Sequence, residues 1–278
     1  MHFRSMSKRL NNRPTNAVLV VLALTLCLNS VANSADVEIR QLPADAHSKC
    51  RFLNRGFVLI PHLTETTAAT PDSRRMPLLV YLHGAGGRGN DIGKAQVNVA
   101  RFMRGLRQHV SEPCFVVAPQ CGKGSPDAMG IWQPKDLDLL LNHLTQTLSV
   151  DENRVYLTGN SMGGFGCWAW AGESHNRFAA IAPVVGGLGF GGPKDVFPEL
   201  DRWARNLTSV PVWAFHGAND RVVPAERSER MVKLIRDLGG KKAKLTVYPD
   251  EGHGAGAKAF SSAEFYTWLF GCRRAKPR

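Results

Sequence analysis

Residues 153–168 read NRVYLTGNSMGGFGCW. The first part, RVYLT, is apolar and rich in β-branched and aromatic side chains, the composition of a buried strand. From Met162 onward the pattern changes to that of a helix, and between the two stands Ser161, with Gly159 and Gly163 two residues away on either side. A chain that turns from strand to helix this sharply has no room for side chains flanking the turn, so glycine is required there. A helix that opens at Met162 aims its first free N–H groups at the apex of the turn. The stretch therefore predicts strand, tight turn and helix, with one exposed hydroxyl at the joint.

Working outward, apolar β-leaning runs recur at 56–60, 78–82, 115–118, 179–185, 212–215 and 245–248, with 155–158 the one already described. Helix-period stretches separate most of them, at 92–108, 135–149, 163–174 and 225–238, and one at 262–270 closes the chain. The helix from Asp136 carries Leu137, Leu140, Leu141, Leu144 and Leu148 on one face. Buried strands alternating with amphipathic helices predict an α/β fold, a mostly parallel sheet with helices on both faces. Ligands bind beyond the carboxyl ends of such strands, so the loops that follow strands carry the function.

The N-terminus is read apart from the fold. Arg4, Lys8, Arg9 and Arg13 precede a twelve-residue uncharged apolar run, AVLVVLALTLCL at 17–28, and the small-residue stretch SVANSA at 30–35. The run is too short to span a bilayer comfortably, and the pattern is that of an export signal cleaved after Ala32 or Ala35. The expectation is a signal peptide over 1–35, a single domain over 36–278, a secreted or periplasmic product, and no stable membrane insertion once the signal is gone. Removing the four early basic residues lowers the formal net charge from +12 to +8. The only dense basic cluster is RRAKPR at 273–278, and no basic run is interleaved with aromatics, so the charge reads as a solvated surface and no nucleic-acid partner is expected. Cys50, Cys114, Cys121, Cys167 and Cys272 remain after signal removal, an odd number; Cys114 with Cys121, or Cys50 with Cys272, are the pairings open in an oxidising compartment. No CxxC pair occurs and the histidines are scattered, so no metal site is expected. The oligomeric state is not legible.

Four loops after strands carry the groups that acyl transfer needs. A serine hydroxyl is a weak nucleophile near neutral pH and requires a base, itself oriented by an acid. On a strand–turn–helix mount the partners follow in the order serine, acid, histidine. After Ser161 the histidines are His175, His216 and His253. His253, in PDEGHGAG after the strand LTVYP, is the base, and Asp220, in HGANDRVVP after VPVWAF, is the acid. The fourth loop, His83-Gly84-Ala85-Gly86-Gly87 after LLVYL, lets backbone approach a substrate. The amides of Ala85 and Met162 are the expected oxyanion donors, and His83 and His216 are read as bracing residues. The glycine loop lacks the lysine and serine of a phosphate-binding loop. Trp132 and Gln133, in GIWQPKDL, are candidates for the substrate-facing wall, with a core position the alternative for Trp132. Cys167 reads as a packing residue.

The segments LVYLHGAGGRGND, NRVYLTGNSMGGFGCW, FAAIAPVVGG, PVWAFHGANDRVVP and LTVYPDEGHG together resemble an α/β-hydrolase. More narrowly the chain is similar to dienelactone hydrolases, phospholipase/carboxylesterases and secreted feruloyl or acetylxylan esterases. The resemblance implies an α/β-hydrolase fold, Ser161, Asp220 and His253 as nucleophile, acid and base, and an oxyanion hole at Ala85 and Met162. It implies a cofactor-free esterase acting on a small-molecule or polysaccharide-linked ester. The sequence departs from the family's wording after the histidine, where Gly254-Ala255-Gly256-Ala257 stands in place of larger residues. The short stretch 187–200 stands where many lipases carry a helical lid, so no large lid is expected. A serine peptidase of the same fold and a noncatalytic carbohydrate-binding module are the alternatives.

Overall fold

Strand β3 (Met76–Leu82) shows how the sheet is built: Leu78, Val80 and Leu82 enter one apolar cluster, Leu79 and Tyr81 another on the opposite face. That period of two, with every residue from Pro77 to Leu82 buried, is what a strand covered on both sides requires. The computed structural model describes residues 37–62, 75–125, 128–188 and 199–274. The expected signal peptide at 1–35, most of the expected lid-free segment (189–198) and the end of the basic cluster (275–278) lie outside the described residues.

The remaining strands are β1 (Glu38–Gln41), β2 (Leu53–His62), β4 (Cys114–Cys121), β5 (Gly124–Ser125), β6 (Ala128–Met129), β7 (Val150–Asn160), β8 (Ala180–Val184), β9 (Val212–Gly217) and β10 (Ala243–Tyr248). The main sheet runs β1-β2-β4-β3-β7-β8-β9-β10, while β5 and β6 pair alone. From β4 to β10 all neighbours are parallel; β2 pairs antiparallel with β4, and β1 antiparallel with β2. The helices are α1 (Ala44–His47), α2 (Gly93–His109), α3 (Pro134–Thr147), α4 (Met162–Glu173), α5 (Leu200–Leu207), α6 (Glu226–Asp237), α7 (Gly256–Ala259) and α8 (Ala263–Gly271). The cluster on one face takes in residues of α3, α4, α5 and α6, and the other takes in α2, α7 and α8. This is the mostly parallel, two-sided α/β architecture that the alternation of elements predicts, and the α/β-hydrolase fold that the resemblance implies.

Among the described residues no helix is long and apolar enough to cross a membrane. Cys50, Cys114, Cys121, Cys167 and Cys272 are all free thiols, which corrects both pairings considered above. Cys114 and Cys121 occupy the two ends of β4, about 23 Å apart at the usual strand rise. Cys50 packs against one face of the sheet and Cys272 against the other. Disulfide geometry permits neither. Cys167 is fully buried, and its burial pushes the thiol pKa up, the environment of a packing residue.

Candidate active site

Because β3, β7, β9 and β10 are parallel, their carboxyl ends deliver four loops to one edge of the sheet. At the end of β7 the chain turns through Ser161, whose backbone has φ +55° and ψ −116°, outside the regions a serine normally occupies. The turn is held by the Ser161 N–H donating to Val184 O at 2.9 Å and by Phe165 N–H donating to Ser161 O at 3.0 Å. A Cβ on Gly163 would run into the Leu82 carbonyl oxygen, so the turn is pressed against the end of β3 and only glycine fits.

His253 Nε2 lies 2.9 Å from Ser161 Oγ, and His253 Nδ1 lies 2.8 Å from Asp220 Oδ2. The other carboxylate oxygen, Oδ1, accepts the N–H groups of Val222 and Val223, each at 2.9 Å. Asp220's side chain is completely buried while that of His253 is 28% exposed. A carboxylate only accepts, so Nδ1 carries the proton, and Nε2 presents a lone pair to the serine hydroxyl. The acid and base loops are tied together: Ala218 N–H donates to Tyr248 O, Asn219 N–H to Glu251 O, and Asn219 Nδ2 to Pro249 O. The structure thus brings Ser161, Asp220 and His253 into one hydrogen-bonded line.

Met162 opens α4, where its N–H has no intrahelical acceptor. Ala85 opens a short 3₁₀ turn, Ala85–Gly87, directly after Gly84. A Cβ on Gly84 would lie 3.5 Å from Ser161 Cβ, so this loop stands against the serine.

Residues 130–264 match the model of the dienelactone hydrolase family, a span that holds Ser161, Asp220 and His253. Over that span the chain is similar to the dienelactone hydrolase family. It is 29% identical over 212 residues to the bifunctional acetylxylan esterase/xylanase XynS20E of Neocallimastix patriciarum, covering 74% of this chain and 27% of that protein. The crystal structure of a thermostable esterase superposes with a TM-score of 0.64 at 31% identity, over 79% of this chain and 59% of the other. A ferulic acid esterase shares the fold, with a TM-score of 0.62 at 15% identity over 84% and 97% of the two chains. The matched region spans only about a quarter of the curated relative's length.

Within the matched span, Trp132 departs from the substrate-wall expectation. It is buried, its indole N–H donates to His83 O at 3.1 Å, and its ring lies 4.7 Å from the His83 imidazole. Trp132 is therefore a brace beneath the glycine loop. Gln133 is half-buried at the N-terminus of α3. His83 completes the brace: Nδ1–H donates to Gly84 O at 2.7 Å and Nε2 accepts the Cys121 N–H at 3.0 Å. Burial lowers its pKa to about 4, so it stays neutral. Gln120, which no local sequence pattern singles out, is also buried, and its Nε2 donates to the carbonyls of Gly87 and Asp91. Beside His253 opens a cavity of about 290 Å³ lined by Tyr81, Arg101, Asn160 and Phe260 among others. Neither Trp132 nor Gln133 lines it.

Proposed function

We propose that this protein is a secreted or periplasmic serine esterase that works through an acyl-enzyme. The observation that carries the reading is the hydrogen-bonded line from Ser161 through His253 to Asp220, with the serine mounted on a sharp strand–helix turn. His253 Nε2 takes the hydroxyl proton as Ser161 Oγ attacks the ester carbonyl, and Asp220, held by the Val222 and Val223 amides, orients the imidazole. The negative charge that develops on the carbonyl oxygen faces the N–H groups of Met162 and Ala85. His253 then returns the proton to the departing alcohol. In the second half-reaction a water gives its proton to Nε2 and its oxygen to the acyl carbon, releasing the acid and restoring Ser161. No step requires a metal or organic cofactor.

Export is supported by the basic, apolar and small-residue order of residues 1–35. The substrate class we propose is an acetyl or feruloyl ester on a carbohydrate, supported by the similarity to the acetylxylan esterase/xylanase. Wild type and Ser161→Ala are to be compared on acetyl, butyryl and feruloyl esters. The substitution is expected to lower kcat by about 10³-fold or more on every ester that wild type turns over. Turnover that survives Ser161→Ala would remove the serine mechanism.

A further inference from the structure

His216, in β9, is completely buried and reaches three polar groups. Its Nδ1 lies 2.8 Å from Ser228 Oγ; its Nε2 lies 2.8 Å from Val223 O and 3.4 Å from Asp220 Oδ2. A carbonyl and a carboxylate only accept, so Nε2 bears the proton and is shared between them. Burial lowers the pKa of the ring, which leaves Nδ1 bare and facing the Ser228 hydroxyl. Ser228 Oγ also lies 3.1 Å from Gly186 O, so its single O–H proton is shared between the Nδ1 lone pair and that carbonyl in the segment after β8.

The contacts close a circuit around the acid. Val223 gives its N–H to Asp220 Oδ1 and takes the His216 Nε2–H on its carbonyl, so one residue fixes the carboxylate from one side and is fixed from the other. Asp220 Oδ2 then faces two imidazoles, His253 at 2.8 Å and His216 at 3.4 Å. An apolar residue in place of His216 would leave the buried Val223 carbonyl without this donor and remove one wall of the slot that holds the carboxylate.

We propose that His216 is a positioning residue of the Ser161 site: its Nε2–H, shared between Val223 O and Asp220 Oδ2, holds the carboxylate in the orientation that aligns His253. This inference rests on the serine-esterase reading and deepens it. His216 touches no substrate; it acts through Asp220.

The test compares His216→Phe, which keeps a buried ring without an N–H, with His216→Gln, which keeps an amide donor. Nitrophenyl acetate kinetics are measured beside the low-field proton NMR signal of the His253 Nδ1–H···Asp220 bond. His216→Phe is expected to lower kcat about tenfold or more, with KM within about twofold of wild type, and to shift or abolish the low-field signal. His216→Gln is expected to recover most of both. Wild-type kcat and signal in His216→Phe, or no recovery in His216→Gln, would reduce His216 to core packing and overturn the proposal. If His216→Phe does not fold, Ser228→Ala takes its place: a lowered kcat at unchanged KM with a displaced signal upholds the inference, and wild-type behaviour overturns it. Ser161→Ala is assayed in parallel. Its loss of turnover keeps the esterase reading intact whatever His216 does, whereas retained turnover defeats that reading first.

Discussion

Ser161 occupies a backbone conformation, φ +55°, that costs a non-glycine residue about 1–3 kcal/mol and persists only where the surroundings impose it. Here they do: β8 takes its N–H, α4 starts from its carbonyl, and Gly163 lets the turn sit on the end of β3. His83 carries a second cost. Folded, its pKa is lowered to about 4 by burial, whereas unfolded it titrates near 6.5. Between those values the unfolded chain binds a proton that the native state refuses, so stability falls as pH falls through that window and is level above it. The lowered pKa of buried His216 adds to the effect in the same direction. Urea unfolding at stepped pH is expected to show a loss from His83 of up to about 3 kcal/mol between pH 6.5 and pH 4. A flat profile across that interval would contradict the burial of these rings. The candidate triad was legible because each member lies in a short local pattern after a strand. The brace was not, because Trp132 and Cys121 meet His83 across 49 and 38 residues of sequence, a relation that only the folded sheet creates.

Each of the seven expected strands and five expected helices corresponds to an element of the structure, with ends shifted by a few residues. Those not anticipated have physical reasons for being quiet in sequence. Strand β1 lies at the edge of the sheet with mostly exposed side chains, so no alternation marks it, and β5 and β6 have two residues each. Helix α5 does bury Leu200, Trp203, Ala204 and Leu207 at spacings of three and one, but eight residues make a short signal. One joint between elements depends on a single carboxylate. Asp136, in the first turn of α3, is buried and accepts the backbone N–H groups of Arg51, Phe52 and Leu53 as the chain enters β2. Asp136→Ala leaves three donors without this acceptor and is expected to cost about 3 kcal/mol in denaturant unfolding. A midpoint equal to wild type would show that water replaces the carboxylate there.

At the scale of the whole molecule, the parallel order of β4 to β10 matters most, because it gathers loops from four strands at one edge. Antiparallel β1 and β2 extend the sheet away from the strands that lead to Ser161, Asp220 and His253 without supplying a proposed catalytic side chain. The fold was readable from alternating periodicities, while the cavity beside His253 was not: Tyr81 comes from β3, Arg101 from α2 and Phe260 from the turn after α7. What the assembled edge is proposed to do is activate one hydroxyl. The direct measurement is covalent labelling of the full-length protein with a fluorophosphonate, read by intact mass and by peptide mapping. One adduct per chain is expected, on Ser161, formed in parallel with the loss of nitrophenyl acetate hydrolysis and absent in Ser161→Ala. An active protein that takes up no label at Ser161, or that is labelled on another residue as activity is lost, would contradict it.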